Sequence, residues 1–253
     1  MLYSGDLSNA ANYILEVEEI LKKYSPKANT GLFYFIKAKL EMEQGNFNQA
    51  LNTIKIGKSF TEQEFPNDNF TVIPDIVLLS EILVRLDKVQ EAYNNLRGLY
   101  NDSFNYVDSD HELQARILIT LANIENKLGK ISDADTHISR AMKIEEHTSN
   151  ADLNDDLASA YVVYADIIYN KGNFKLSKNY YEKALKIYNK RFEDRIEWDT
   201  LSELYTKLAM IALKLEDLYT ATQYYELHNK YFGIKHPRTK EIYLAIQRQK
   251  VRI

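Results

Sequence analysis

The sequence predicts an all-α fold, a stack of antiparallel helical hairpins, and three observations carry that prediction. A short phrase recurs six times at near-equal spacing. The segments on either side of it place apolar residues at helical rhythm. Turn-forming residues are scarce, with 8 Gly and 4 Pro in 253 residues, whereas strand-rich folds need more of both.

The phrase begins with a turn or polar residue, reaches an apolar one and closes on a small one. It reads GDLSNA (5–10), GNFNQA (45–50), DKVQEA (87–92), GKISDA (129–134), GNFKLS (172–177) and EDLYTA (216–221). The closing residues Ala10, Ala50, Ala92, Ala134, Ser177 and Ala221 lie 40, 42, 42, 43 and 44 residues apart. Self-similarity at such a period marks a repeat architecture.

Upstream of the phrase lie segments such as RILITLANIENKL (116–128) and AYVVYADIIYNK (160–171). Leu118, Leu121, Ala122 and Glu125, and likewise Tyr161, Tyr164, Ala165 and Ile168, follow the i, i+3, i+4, i+7 rhythm of one buried helical face. Downstream, ISDADTHISRAMKI (131–144) and FKLSKNYYEKALKIY (174–188) show it again. Glycine in front of the turn suits the left-handed position that ends a helix. The unit is therefore helix A, a tight turn and helix B. One hairpin cannot bury its apolar face alone, so neighbours stack into a continuous core.

About 12 helices follow in one solenoid over 1–253: a half repeat at 5–24, full repeats at 31–60, 73–101, 115–146, 158–190 and 202–232, and a capping helix at 238–253. The chain thus begins on a B helix and finishes on an A helix. This reads as a fragment of a longer protein, or as an open N-terminal half repeat covered by a partner or a second copy.

These residues resemble the tetratricopeptide repeat, whose pattern is W-x2-L-G-x2-Y, then Ala, an aromatic and Ala. Tyr161, Tyr164, Ala165, Ile168, Gly172, Ser177, Tyr181 and Ala184 match it most fully. Leu118, Leu121, Ala122, Gly129, Ala134, Ile138 and Ala141 match, as do Tyr205, Leu208, Ala209, Ala212, Ala221 and Tyr225. The usual period is about 34 residues. The longer period here is similar to the kinesin light chain class, as is the His-Pro-x-Thr of FGIKHPRTKEIYLAI (232–246). The surplus implies longer B helices and longer inter-repeat loops. The resemblance implies a right-handed superhelical solenoid whose A helices line a concave groove for a protein or peptide segment. Similar long repeats occur in bacterial peptide-pheromone receptors and in effector domains of maltose-regulator-like activators.

In the family the lining positions precede the closing small residue by roughly 18, 15, 11 and 8 places. The carry-over gives Leu32, Phe35, Lys39 and Met42; Pro74, Val77, Glu81 and Val84; Arg116, Ile119, Asn123 and Asn126; Ser159, Val162, Asp166 and Tyr169; and Glu203, Thr206, Met210 and Leu213. The candidate groove set drawn from these and their neighbours is Lys39, Glu81, Arg85, Arg116, Asn123, Asn126, Lys127, Asp166 and Tyr169. Asn123 and Asn126 stand out, because an amide both donates and accepts and so suits an extended peptide backbone. The clamp of Lys, Asn and Arg that chaperone-binding members use for a C-terminal carboxylate is not reproduced, so an acidic chaperone tail is not the expected ligand. Tyr161, Tyr164, Tyr181 and Tyr225 fall on packing positions.

Composition narrows the chemistry. A net charge of −4 gives no basic footprint for nucleic acid. There is no cysteine, which excludes disulfides, thiol catalysis and thiolate metal sites and fits a reducing cytoplasm. The N-terminal MLYSGDLSNAANY has no signal-peptide pattern, and apolar runs such as Ile76 to Leu79 are too short to span a bilayer. His111, His137, His147, His228 and His236 lack metal-site spacing, and HExxH, GxG and GxSxG do not occur. The basic run Lys235, Arg238, Lys240, Arg248, Lys250 and Arg252 reads as a polar capping helix. The expectation is a cytoplasmic, cofactor-free binding module, not an enzyme. A peptide- or ligand-sensing domain of a larger regulator and an oligomerisation module remain as alternatives.

Overall fold

A computed structural model describes residues 7–24, 30–66, 68, 70–103, 108, 111–147, 154–192 and 199–252. Among them are twelve α-helices and no strand. They are α1 (Leu7–Tyr24), α2 (Thr30–Glu43), α3 (Phe47–Glu64), α4 (Ile73–Arg85), α5 (Val89–Ser103), α6 (Glu112–Lys127), α7 (Ile131–Glu146), α8 (Asp155–Asn170), α9 (Phe174–Phe192), α10 (Asp199–Lys214), α11 (Leu218–Phe232) and α12 (Pro237–Arg252). Gly5 and Asp6 of the first half repeat, and Ile253 of the last helix, lie outside the described residues. The architecture is an all-α solenoid of helical hairpins. None of the described helices is long and apolar enough to cross a membrane.

The helices gather into two compact units, α1–α7 and α8–α12. In the first, α2 packs on α3, α4 on α5 and α6 on α7, while α1 lies against α2. Its core holds Ile54, Ile82, Leu83, Leu96, Ile117, Leu121 and Ile124. In the second, α8 packs on α9 and α10 on α11, and α12 lies against both α10 and α11. Ala209, Ala212, Ala221, Ile242 and Ile246 form the core under α12.

The turns show why these sequences make hairpins. Gly45, Asp87, Gly129, Gly172 and Glu216, each five residues before a closing small residue, all adopt positive φ between 60° and 81°. In each turn the next residue's N–H reaches back to a carbonyl five residues earlier: Asn46 to Glu41, Lys88 to Leu83, Lys130 to Glu125, Asn173 to Ile168 and Asp217 to Ala212, at 2.8–3.2 Å. This left-handed cap satisfies carbonyls that a helix end leaves unpaired. It also turns the chain within three residues, so helix B runs back along helix A. The closing residues Ala50, Ala92, Ala134, Ser177 and Ala221 are all fully buried, where only a short side chain lets two helix backbones approach. Ser177 fits because its hydroxyl donates to the Ala165 carbonyl at 2.8 Å across the hairpin.

Asp87 and Glu216 hold the left-handed conformation with a Cβ, at φ 60°, which costs about 1–2 kcal/mol. Replacing either by glycine removes that strain but loosens the unfolded chain. We expect Asp87→Gly and Glu216→Gly each to raise stability by about 0.5–1 kcal/mol in thermal melts. A fall in melting temperature would show that these side chains have a further structural role.

Candidate functional site

Two of the four lining positions form an open row in every repeat. Residues seven apart lie within about 20° of one another on a helix, so the positions eighteen and eleven before the closing residue share a face. In the first unit these are Leu32 and Lys39 on α2, Pro74 and Glu81 on α4, and Arg116 and Asn123 on α6. Leu32 is 56% exposed and the others are half-buried. The positions fifteen and eight residues before differ. On α4 and α6 they hold Val77, Val84, Ile119 and Asn126, all buried, with Asn126 only 7% exposed. On these two helices that flank packs inward, whereas Phe35 and Met42 on α2 and Val162 and Tyr169 on α8 stay half-buried.

The open row carries a mixture of charges and amides. Glu81 accepts a hydrogen bond from Thr120 Oγ1 at 3.2 Å, which joins α4 to α6. The Arg85 guanidinium lies 5.3 Å from the Phe47 ring centroid and covers the start of α3. Lys127 is exposed at the end of α6. The structure thus brings Lys39, Glu81, Arg85, Arg116, Asn123, Asn126 and Lys127 onto three A helices of one unit.

Asp166 and Tyr169 belong to α8 in the second unit. Asp166 accepts a short hydrogen bond from the Tyr181 hydroxyl and an ion pair from Lys207 Nζ at 2.8 Å. Lys207 also meets Glu203 at 2.9 Å. Burial, reinforced by the Asp166 charge, pushes the Tyr181 phenol well above its ordinary range. Asp166 thereby ties α8 to α9 and α10. Tyr169 rests against Phe174 across the hairpin turn, with ring centroids 5.1 Å apart.

The sequence reading missed the polar network around His228. This side chain on α11 is fully buried, and so are Ser202 on α10 and Thr239 on α12. Thr239 Oγ1 donates to the Gly233 carbonyl at 2.8 Å, which leaves it to accept from His228 Nδ1 at 2.7 Å. His228 Nε2 is then unprotonated and accepts from the Ser202 hydroxyl at 2.8 Å. Ser202 accepts in turn from Arg238 at 3.3 Å, and Arg238 pairs with Asp199. Every polar group in this relay has a partner, and the relay fastens α12 to α10 and α11. Burial above all, with the nearby His236 and Arg238, pushes the His228 pKa down to about 4. The legible signal was the His-Pro-x-Thr phrase, whose threonine is Thr239. The serine–histidine contact resembles a nucleophile and its base, but Ser202 is fully buried and Nδ1 faces a hydroxyl, with no carboxylate to orient it. Among the described residues no group of His, Cys, Asp or Glu side chains is placed to hold a metal ion.

Comparison with known proteins follows the same lines. The tetratricopeptide repeat family model matches residues 158–191. No curated protein matches the chain. Among solved structures, Rap protein complexed with Competence and Sporulation Factor is similar with a TM-score of 0.70 at 14% identity, over 95% of this chain and 70% of that one. BtubC (BKLC) from P. vanneervenii is similar with a TM-score of 0.56 at 17% identity, over 98% and 93%. A thermophilic tetratricopeptide-repeat protein of Thermus thermophilus gives 0.54 at 13% identity, over 88% and 100%. At these identities the likeness is one of fold. Residues 158–191 thus form a tetratricopeptide repeat, and the chain around them shares the helical-repeat fold of these neighbours.

Proposed function

We propose that the chain is a protein-interaction module that holds an extended segment of another polypeptide along its A helices, chiefly across α2, α4 and α6. The observation that carries this reading is the half-open row of Lys39, Glu81 and Asn123, one residue at the same position on each of three successive A helices. Asn123 offers a donor and an acceptor to a peptide backbone. Lys39, Glu81, Arg85, Arg116 and Lys127 sort partners by charge, and Leu32 and Ile36 give an apolar anchor, being 56% and 36% exposed. Asn126, Asp166 and Tyr169 act from behind, fixing the helix faces on which contacts are made.

Selection from a displayed library of random peptides tests this. Peptides should enrich on the chain and bind the Lys39→Ala, Asn123→Ala double variant at least about tenfold more weakly, or about 1.4 kcal/mol. Both proteins should give the same helical circular dichroism. No enriched peptide, or equal binding to both proteins, would sink the reading.

A second reading is a ligand-sensing domain of a larger regulator. It is favoured by the likeness to Rap protein, whose structure is a complex with Competence and Sporulation Factor. Under that reading an enriched short peptide also protects A-helix amides from hydrogen exchange in repeats beyond its own contact.

A further inference from the structure

Two aspartates near the junction of α3 and α4 sit in opposite surroundings. Asp68 is exposed, and its carboxylate accepts from the Phe70 N–H at 3.0 Å, the Thr71 N–H at 3.3 Å and the Thr71 hydroxyl. These donors, the Thr71 hydroxyl foremost, hold its pKa below the ordinary carboxylate range. Asp75, seven residues on in the first turn of α4, is 4% exposed. Its Oδ2 is buried without a hydrogen-bond partner among the described residues.

A helix start ordinarily offers spare N–H groups to a carboxylate. The start of α4 has few to give. Pro74 has no N–H, and those of Ile73 and Ile76 are engaged by the Phe70 and Val72 carbonyls. The Thr61 hydroxyl on α3 reaches Asp75. It is closely held, because a Cβ on Gly31 of α2 would fall 2.3 Å from Thr61 Oγ1. That hydroxyl has a single proton, which it donates to the Gly57 carbonyl of its own helix at 3.2 Å. To Asp75 it therefore offers an acceptor, which a carboxylic acid can use and a carboxylate cannot. With Asp75 protonated, hydrogen bonds run from Asp75 to Thr61 to Gly57 and join α4 to α3. With Asp75 ionised, Thr61 must abandon Gly57 to serve it, and Oδ2 still lies bare.

Charge does little to rescue the anion. Lys58 on α3 favours it, Glu62 on α3 opposes it, and the two pair with each other. Glu64, the last residue of α3, accepts from the Thr30 N–H. Helix α2 brings no charged residue before Lys37, about two turns beyond Thr30, and Lys37 pairs with Glu18. Asp102 on α5 and Glu112 on α6 are exposed acids, Arg97 covers the Tyr93 ring, and Arg116 lies on the open row. Burial, foremost, raises the Asp75 pKa above its ordinary value, against the pull of Thr61 and Lys58.

We propose that the joint between α3 and α4 is a proton-operated latch, closed when Asp75 is a neutral acid bonded to Thr61 and loosened when Asp75 ionises. An acid kept neutral by the fold stabilises fully below its ordinary pKa, and that contribution is lost as pH rises through the folded value. Acid therefore tightens this joint, and neutral pH relaxes it. The joint sets the angle between the α2–α3 hairpin and α4, and with it the spacing of Lys39 and Glu81. Its use in controlling a partner rests on the proposed function, but the latch itself does not.

Hydrogen exchange of the α3 and α4 amides, compared at equal pH in the parent and in Asp75→Asn, tests this. Asparagine keeps the shape and always has a donor for Thr61. At pH 7 the parent should exchange there at least about fivefold faster than the variant, the penalty for a buried polar group without its partner. By pH 4 the two should converge. A second measurement reads the proton itself. The carboxyl carbon-13 resonance of Asp75, identified by its loss in the variant, should titrate at higher pH than that of Asp68. A variant that exchanges as fast as the parent or faster at pH 7, or a difference that persists unchanged at pH 4, overturns the latch. So does an Asp75 resonance that titrates with Asp68 or below it. Peptide selection reads the open row and not this joint, so either idea can fail without the other.

Discussion

Replacing His228 by alanine should cost the second unit about 3 kcal/mol. The side chain is fully buried between Ser202 and Thr239, so its loss leaves a cavity and two hydroxyls without their partner. The damage should concentrate at α12, the helix that the relay fastens. Hydrogen exchange would show it there first.

Acid should achieve the same result without a substitution. The folded pKa of His228 is about 4, against an ordinary 6.5. Above pH 6.5 the ring is neutral in both folded and unfolded chains, and its contribution is complete. As pH falls from 6.5 toward 4, the unfolded chain takes up a proton that the folded chain refuses, and stability drops by up to about 1.4 kcal/mol per pH unit. Protonation at Nε2 would remove the acceptor of the Ser202 hydroxyl and set a second cation beside Arg238. The other ionisable groups at the relay are His236, 5.2 Å from His228 ring to ring, Arg238 and Asp199. His236 is also pushed down, by burial and by Arg238, and adds a smaller slope of the same sign. The check is a urea midpoint at pH 7 and pH 5 for the parent and for His228→Gln, whose amide keeps a donor and an acceptor. The parent should lose distinctly more than the variant. Parallel losses would mean that His228 does not titrate as the relay requires.

The second large effect lies at the first full hairpin. A Cβ on Gly31 would fall 2.3 Å from Thr61 Oγ1 and 3.0 Å from the Thr61 backbone nitrogen. A Cβ on Gly57 would meet Tyr34 Cβ at 2.9 Å. Helices α2 and α3 thus touch glycine against helix at two points, with no room to retreat. Gly31→Ala should cost about 2–3 kcal/mol, as overpacking does. Thr61→Ala in the same chain should restore part of it by removing the nearest atom. Gly98, exposed on α5 with open space around its Cα, is the control. There alanine should stabilise by about 0.5–1 kcal/mol through helix propensity. If Gly31→Ala and Gly98→Ala shift the urea midpoint alike, the close approach carries no energetic weight.

Much of this fold was legible in the residues because the same small set of constraints recurs in each repeat. A left-handed turn position and a fully buried small residue five places later leave a trace in any repeat that uses them. The trace survives even where Asp87 and Glu216 replace the expected glycine. The candidate site was legible only in part. Periodicity identifies a helical face but does not say how wide an arc its neighbours cover, so Asn126 and Asn123 looked equivalent until one proved buried and the other half-open. Asp166 read as a groove residue because its partners, Tyr181 and Lys207, lie 15 and 41 residues away and leave no local trace. The His228 relay was hidden for the same reason, since its members come from three helices and share no local pattern. The glycine contacts of α2 and α3 belong to a single hairpin, so no repeat could advertise them.

The separations of these cross-helix bonds have a further meaning. Glu81 and Thr120 lie 39 residues apart, Asp166 and Lys207 41, and Tyr224 and Glu182 42. Each equals roughly one period, so each of these bonds joins a helix to the adjoining repeat. Among the described residues these bonds reach no farther. Assembly can begin at any hairpin and spread outward like a zip. A gene that gained or lost a whole period of about 42 residues would leave almost every surviving bond with its partner. Length, fixed in most folds by the closure of a core, is here a freely inherited quantity.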